Sequence, residues 1–215
     1  YRSLRTSLMY SSAGNQIKSI LVSSPGPGEG KTTTIANLAI TYANLGKKTL
    51  LMDTDLRRPV IHRAFNLSRD PGITHYLSGA TDDFNSLVKR TEIENLYIVS
   101  AGVIPPNPSE LLGSERMMDL IAKLEAEWDM ILLDSPPLVA VTDATMISKE
   151  IDLIVMVVKS GGTDKGAFNR TLLALQNVEA PLGGIVLNAV TSKSSYGSYY
   201  YYYQYYHYYS DSKKK

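Results

Sequence analysis

The segment SSPGPGEGKTTT (23–34) constrains this 215-residue chain more than any other. Before it lies an apolar run, IKSILVSS (17–24), that reads as a short buried strand. After it comes KTTTIANLAITYANLG (31–46), in which Ile35, Leu38, Ala39, Tyr42 and Leu45 share one helical face, with Gly46 as the expected stop. A glycine-rich turn between strand and helix converges backbone N–H groups on phosphate oxygens, and the helix adds its positive end. Lys31 then reaches the β- and γ-phosphates, and Thr32 is placed to hold Mg²⁺. Gly28, Glu29, Gly30 and Thr33 complete the candidate cradle. The strict spacing requires Gly six residues before the lysine, where this chain has Pro25. A dinucleotide-binding turn is the sharpest rival, with Asp53 as its ribose acid. Its glycines, however, would run G-x-G-x-x-G, whereas these run G-x-G-x-G, and it has no role for Lys-Thr.

Further along, KTLLMDTD (48–55), LYIVSAG (96–102), MILLDSPP (130–137), DLIVMVVKS (152–160) and GGIVLNAV (183–190) read as strands. Helices are expected at 1–14, with Leu4, Leu8 and Met9 on one side, and at about 165–178. Another is expected from Asn107, as cap, with Pro108 in the first turn and Glu110 three residues on, running to about Trp128. The stretch 59–95 mixes short helical pieces and loops. Strands that alternate with helices and are apolar on both faces predict an α/β fold, a mostly parallel sheet flanked by helices.

In a parallel sheet all carboxyl ends meet at one edge, where ligands bind. Asp53 and Asp55 end one strand and Asp134 ends another, so all three can meet the phosphate loop. Mg²⁺ takes oxygen ligands and sits between carboxylates and phosphates, which makes Thr32, Asp55 and Asp134 its candidate ligands. Lys31, Asp53 and Asp55 are the catalytic candidates, one acid of the pair accepting a proton from an attacking hydroxyl. Arg57 and Arg58 either face phosphate or face solvent. The last strand ends LNAVTSK, without the Asn-Lys-x-Asp loop of GTP recognition, so ATP is the expected nucleotide. Asn188 is read either as a contact to the base or as a turn residue.

Composition excludes several classes. A net charge of +1 gives no reason to expect nucleic acid. There is no cysteine, hence no disulfide, iron–sulfur cluster or cysteine zinc site, and the three histidines are scattered. No apolar run approaches the ~20 residues of a membrane helix. The chain starts on Tyr1 rather than Met, so it reads as a fragment with a segment missing upstream. Tyrosine is the anomaly: ten of fifteen lie between Tyr196 and Tyr209, in a low-complexity tail (192–215) without Leu, Ile or Val. Such a tail is a sticky segment, a stacking surface, or a string of phosphate acceptors. Some 20 residues extend ~60–70 Å at most, enough to enter a neighbouring subunit. Each phosphotyrosine adds roughly −1.5 to −2 charges, so several would overturn the net charge and drive packed subunits apart.

The variant phosphate loop at 24–32, LLMDTDLR (50–57), ILLDSPP (131–137), PPNPSELL (105–112) and the tyrosine cluster together resemble the bacterial tyrosine autokinases of capsule and exopolysaccharide synthesis. The resemblance spans nearly the whole chain. It implies a P-loop ATPase-like fold divided into an N-terminal oligomerisation helix (1–16), a kinase domain (17–191) and a flexible tail (192–215). It implies Mg-ATP-dependent phosphorylation between subunits of Tyr199, Tyr200, Tyr201, Tyr202, Tyr203, Tyr205, Tyr206, Tyr208 and Tyr209. It further implies a cytoplasmic site at the inner membrane face, reached through the cytoplasmic segment of a chain-length-regulator-type activator, and a cognate tyrosine phosphatase. Rings in this family form through a Glu-x-x-Arg-x-x-Arg helix; Arg2 and Arg5 match its arginines, and its glutamate would precede Tyr1. Two other functions share some of these features. Nucleotide switches of the septum-positioning and partition type have the same fold and a similar Asp-x-Asp strand. They carry a lysine early in the phosphate loop, where this chain has Gly26. A non-catalytic assembly module would bind ATP without forming phosphotyrosine.

Overall fold

The near-continuous apolar runs of the strands decide the architecture, because successive side chains point to opposite faces and both faces are buried. In the computed structural model, which describes residues 1–11, 16–138 and 143–191, the chain runs α1 (Arg2–Ser11), β1 (Ser19–Ser23), α2 (Lys31–Ala43), β2 (Thr49–Asp53), α3 (Ile61–Ala64), α4 (Ile73–Leu77), β3 (Lys89–Arg90) and β4 (Leu96–Val99). It continues α5 (Pro108–Leu112), α6 (Glu115–Glu127), β5 (Met130–Asp134), α7 (Asp143–Ile147), β6 (Leu153–Lys159), α8 (Lys165–Asn177) and β7 (Leu182–Asn188). The strands form one sheet in the order β3-β4-β2-β5-β1-β6-β7, parallel except for the two-residue β3. Ile20, Val22, Leu51, Leu132 and Val155 face α1 and α2, where Leu8, Ile35 and Leu38 meet them. Leu21, Leu50, Met52, Ile131 and Leu133 face the opposite way, toward α6 and Trp128.

Several expectations are corrected. The helix expected from Asn107 to Trp128 is two helices. Asn107 makes no capping bond to the backbone, and instead its Nδ2 donates to Glu110 Oε2 at 2.6 Å. The break falls at Gly113, where a Cβ would lie 2.5 Å from Met146 Cε, so α7 packs into the gap. Ser114 caps the second helix, accepting from the Met117 amide. At the end of α2, Leu45 lies beyond the last turn and is half-exposed rather than on the buried face. The left-handed residue there is Gly46 (φ 76°), as expected of a stop. Met9 is half-exposed and does not join Leu8 in the core. β7 is not apolar and buried on both faces: Ile185 and Leu187 are exposed, because β7 is the last strand at its edge of the sheet.

Of the helix expected over 1–14, Arg2–Ser11 form α1, and 12–15 lie outside the described residues. It packs on α2, and Arg5 donates to the Thr41 carbonyl of its own chain, while Arg2 is exposed. The tyrosine tail lies outside the described residues.

Candidate active site

β1, β2 and β5 deliver the site at the carboxyl edge. Their register sets Asp53 directly beside Asp134, with Val22 on Asp134's other flank. Behind them, Thr54 locks the two strand ends by donating both its N–H and its hydroxyl to the Asp134 carbonyl, at 2.9 and 2.6 Å. The loop after β1 turns through Gly28 (φ 73°) and Gly30 (φ 94°), conformations that side chains strain. Lys31 then opens α2.

Four of the anticipated residues close into one network. Lys31 Nζ donates to Asp55 Oδ2 at 3.0 Å and lies 3.6 Å from Asp134 Oδ1. It also donates to Thr32 Oγ1 at 3.2 Å, and that hydroxyl donates to Asp134 Oδ2 at 2.6 Å. Asp53 is different. Its Oδ2 accepts the Val60 and Ile61 amides, each at 3.0 Å, so it latches the 54–61 loop, and its buried Oδ1 has no partner. Asp55 Oδ1 accepts the Arg58 amide at 3.0 Å.

Glu29 and Thr33, both expected in the cradle, are turned elsewhere. The Glu29 carboxylate folds back on its own loop, where Oε1 accepts the Gly26 amide at 3.1 Å and Oε2 is buried without a hydrogen-bond partner. Thr33 is exposed, and its carbonyl accepts from Asn37. Asn188 Nδ2 donates to the Glu29 carbonyl at 2.9 Å, which ties the end of β7 to the phosphate loop. A Cβ on Gly30 would fall 2.0 Å from that nitrogen, so only glycine lets β7 grip the loop here. Thr54 escapes sequence reasoning altogether, since a lone threonine in a loop carries no periodic or spacing signal.

Electrostatics single out the acids. Burial, reinforced by the Asp134 charge, pushes Asp53 up to about 7. Burial also pushes Asp134 up to about 6, against the pull of Lys31 and the Thr32 hydroxyl. For Lys31, burial works downward, but Asp134 and Asp55 outweigh it and hold the ammonium above its ordinary value. The folded chain thus keeps protons on these two acids that the unfolded chain releases near pH 4. Their contribution to stability is fully present below that pH and is lost as pH rises through about 6 to 7. Asp53→Asn keeps an oxygen acceptor for the latch and removes this titration. Thermal melts of the ligand-free wild type and variant are therefore expected to lie close at pH 4. They should separate by pH 7.5 with the variant the more stable, and a constant gap would mean that Asp53 does not titrate this way.

The donor set fits Mg²⁺. Thr32 Oγ1 and the two Asp134 oxygens are all oxygens, and the raised Asp134 carboxyl, beside the equally raised Asp53, carries the signature of unrelieved negative charge. Among the described residues no three acids or histidines gather into a cage of their own. Mg²⁺ needs none, since it is bound through one or two carboxylates plus phosphates and water. Asp55, also expected as a metal ligand, pairs through Oδ2 with Lys31 and through Oδ1 with the Arg58 amide. In front of this network lies a cleft of 470 Å³ whose walls include Gly28, Lys31, Asp55, Arg57, Arg58 and Pro136. Its size falls in the range of small-molecule sites. Both arginines therefore face the cleft.

Comparison with known proteins agrees with this geometry. The family model described as an AAA domain matches residues 17–167. Tyrosine-protein kinase YwqD of Bacillus subtilis is 39% identical over 201 residues, 93% of this chain and 84% of that protein. Tyrosine-protein kinase CpsD of Streptococcus pneumoniae serotype 4 is 38% identical over 200 residues, 92% of this chain and 86% of that protein. The solved structure of the chimerical protein CapA2B2 is similar with a TM-score of 0.84 at 36% identity, covering 88% of this chain and 83% of that one. The septum site-determining protein MinD of Pyrococcus horikoshii, complexed with Mg-ADP, is similar with a TM-score of 0.68 at 20% identity, covering 82% of this chain and 72% of that one. At that identity the likeness concerns the fold alone.

Proposed function

The chain belongs to the bacterial tyrosine-protein kinases, and on that premise we propose that it transfers the γ-phosphoryl group of Mg-ATP to tyrosines in the 199–209 tail of a neighbouring copy. The observation that carries this reading is the network Lys31–Asp55–Asp134–Thr32, with Asp53 beside it, at the mouth of a nucleotide-sized cleft. The loop amides at 28–32 cradle phosphate, and Lys31 swings from Asp55 to the transferring group. Thr32 and Asp134 would hold Mg²⁺, which would supply charge neutralisation on the phosphates. Asp53 takes the phenol proton as the tyrosine oxygen bonds to phosphorus and the bond to the β-phosphate breaks, releasing ADP. Its position near 7 suits a base at neutral pH.

Regulation of capsular or exopolysaccharide synthesis and export belongs to the same proposal. So do the 1–16, 17–191 and 192–215 division, a ring of subunits, a phosphatase that resets the tail, and a membrane activator. No described helix is long and apolar enough to cross a membrane, and the proposed attachment is through the activator. In the ring, Arg2 is the arginine free to reach a neighbour, because Arg5 is spent on α2. A nucleotide switch of the septum-positioning type is not favoured: it shares the fold at 20% identity, against 38–39% for the kinases.

The deciding experiment is intact mass after incubation with Mg-ATP, with and without the cytoplasmic peptide of a candidate activator. Mass additions in single-phosphate steps are expected, all on the tail peptide and all lost from a chain ending at Ser195, which still binds ATP. Unmodified protein with slow ATP hydrolysis would favour the switch, and strong labelling of the shortened chain would move the acceptors elsewhere.

A further inference from the structure

The loop between β4 and α5 carries two consecutive aliphatic residues in the open: Val103 is 55% and Ile104 49% exposed. With Pro105, Pro106 and Leu111 they wall an apolar groove of 220 Å³, rimmed by the polar groups of His75 and Ser78, while Thr74 lines it with its hydroxyl buried. The groove is built rather than incidental. The Ile73 and Thr74 amides donate to the Ser100 and Ala101 carbonyls at 2.8 and 3.0 Å, which ties α4 to the loop. Gly102 (φ 85°) packs where a Cβ would lie 2.4 Å from Thr74 Oγ1, so the two walls meet as closely as backbone allows. Exposed aliphatic side chains on a braced loop mark a surface that meets something apolar.

Its location ties it to the site. β4 runs parallel to β2, so the loop after β4 opens at the same sheet edge as Asp53 and Asp55. α5 bridges the two places: Ser109 Oγ accepts from Arg57 Nη2 at 3.2 Å on the cleft side, and Leu111, in the same helix, lines the groove.

We propose that this groove is a docking subsite for phenol side chains of the tyrosine tail (196–209) of a second copy, a reading that rests on the function proposed above. The tail has no Leu, Ile or Val, so tyrosine rings are nearly all the apolar area it can offer. A tyrosine is apolar along its ring and polar at its tip, which matches a groove with aliphatic and proline walls and a hydroxyl and imidazole rim. Reach is sufficient, because the stretch from Thr191 to Tyr209 can extend ~60 Å. One docked phenol holds the segment while another, a few residues along, meets the carboxylates. A run of tyrosines rather than a single acceptor is then what the site requires. A phosphotyrosine, with roughly −1.5 to −2 charges, is excluded from an apolar groove, so binding weakens as modification proceeds.

The test uses full chains. A ¹⁵N-labelled Lys31→Met chain serves as the acceptor, distinguished from the donor by mass, and the initial rate of its labelling is followed against its concentration. Val103→Asp and Ile104→Asp donors change exposed side chains and should melt like wild type. They are expected to raise the KM for the acceptor about ten-fold, the scale of partial burial of one ring, while kcat and the KM for ATP stay put. Acceptors in which every tail tyrosine but Tyr203 is Phe should keep the low KM, and those with Ser in the same places should lose it. An unchanged acceptor KM in both donors, or equal behaviour of the Phe and Ser acceptors, overturns the groove while leaving the kinase reading intact. A wild-type donor that fails to label the acceptor overturns both.

Discussion

Lys31→Met is expected to lower tail phosphorylation by about 10³-fold, because it removes the main cation facing the γ-phosphoryl group as charge spreads over its oxygens. The structure adds a second consequence. Lys31 is the cation between Asp55 and Asp134, both buried, so the methionine leaves two carboxylates facing each other without a counter-charge. Breaking a buried pair from one side costs about 3 kcal/mol. That cost shrinks at low pH, where Asp134, already pushed up to about 6, takes a proton. The variant should therefore melt well below wild type at pH 8 and closer to it at pH 5. Labelling by mass spectrometry at pH 7.5, at a temperature where both chains are folded, separates the two effects. Undiminished labelling in a folded variant would remove Lys31 from the phosphate site.

Asp53→Asn has the opposite character: a large kinetic effect on a chain that is no less stable. The two amides of Val60 and Ile61 can bond the asparagine oxygen as they bond Asp53 Oδ2, so the loop stays latched. The charge and its ability to accept a proton are gone. A positioned base contributes about 10²–10⁴-fold, and kcat should fall within that range. For wild type, kcat/KM should rise with pH through about 7 as Asp53 ionises in the free enzyme, and this limb should vanish in the variant. Asp53→Ala is the contrast. It abandons both amides, so it should destabilise the 54–61 loop as well as slow the reaction. Retention of the pH limb in a folded Asp53→Asn chain would assign the proton to Asp55 instead.

Most of the sheet was legible because its information is local and binary. Ile20, Leu21 and Val22 alternate, as do Leu50, Leu51 and Met52, and a strand with both faces apolar has to be covered on both sides. The place of Asp53, Asp55 and Asp134 followed from the same rule, since parallel strands bring their carboxyl ends to one edge. The break at Gly113 was not legible. Capping and spacing allowed one helix from Asn107 to Trp128, and the reason for two is a methionine 33 positions away, Met146, packed where a side chain would stand.

By itself, then, the sequence determined the α/β class, the phosphate loop with Lys31 and Thr32, and the set of acids at its edge, because periodicity and turn chemistry are written in neighbouring residues. Tertiary structure alone decided what each polar atom does. Thr32 finds Asp134 across 102 residues, and Asn188 finds Glu29 across 159. Asp53 is a loop latch as well as a raised acid, Asp55 guards Lys31, and Arg5 is bound to its own α2. A hydrogen bond depends on convergence within about 3 Å of groups brought together by the whole fold, and no spacing along the chain encodes that.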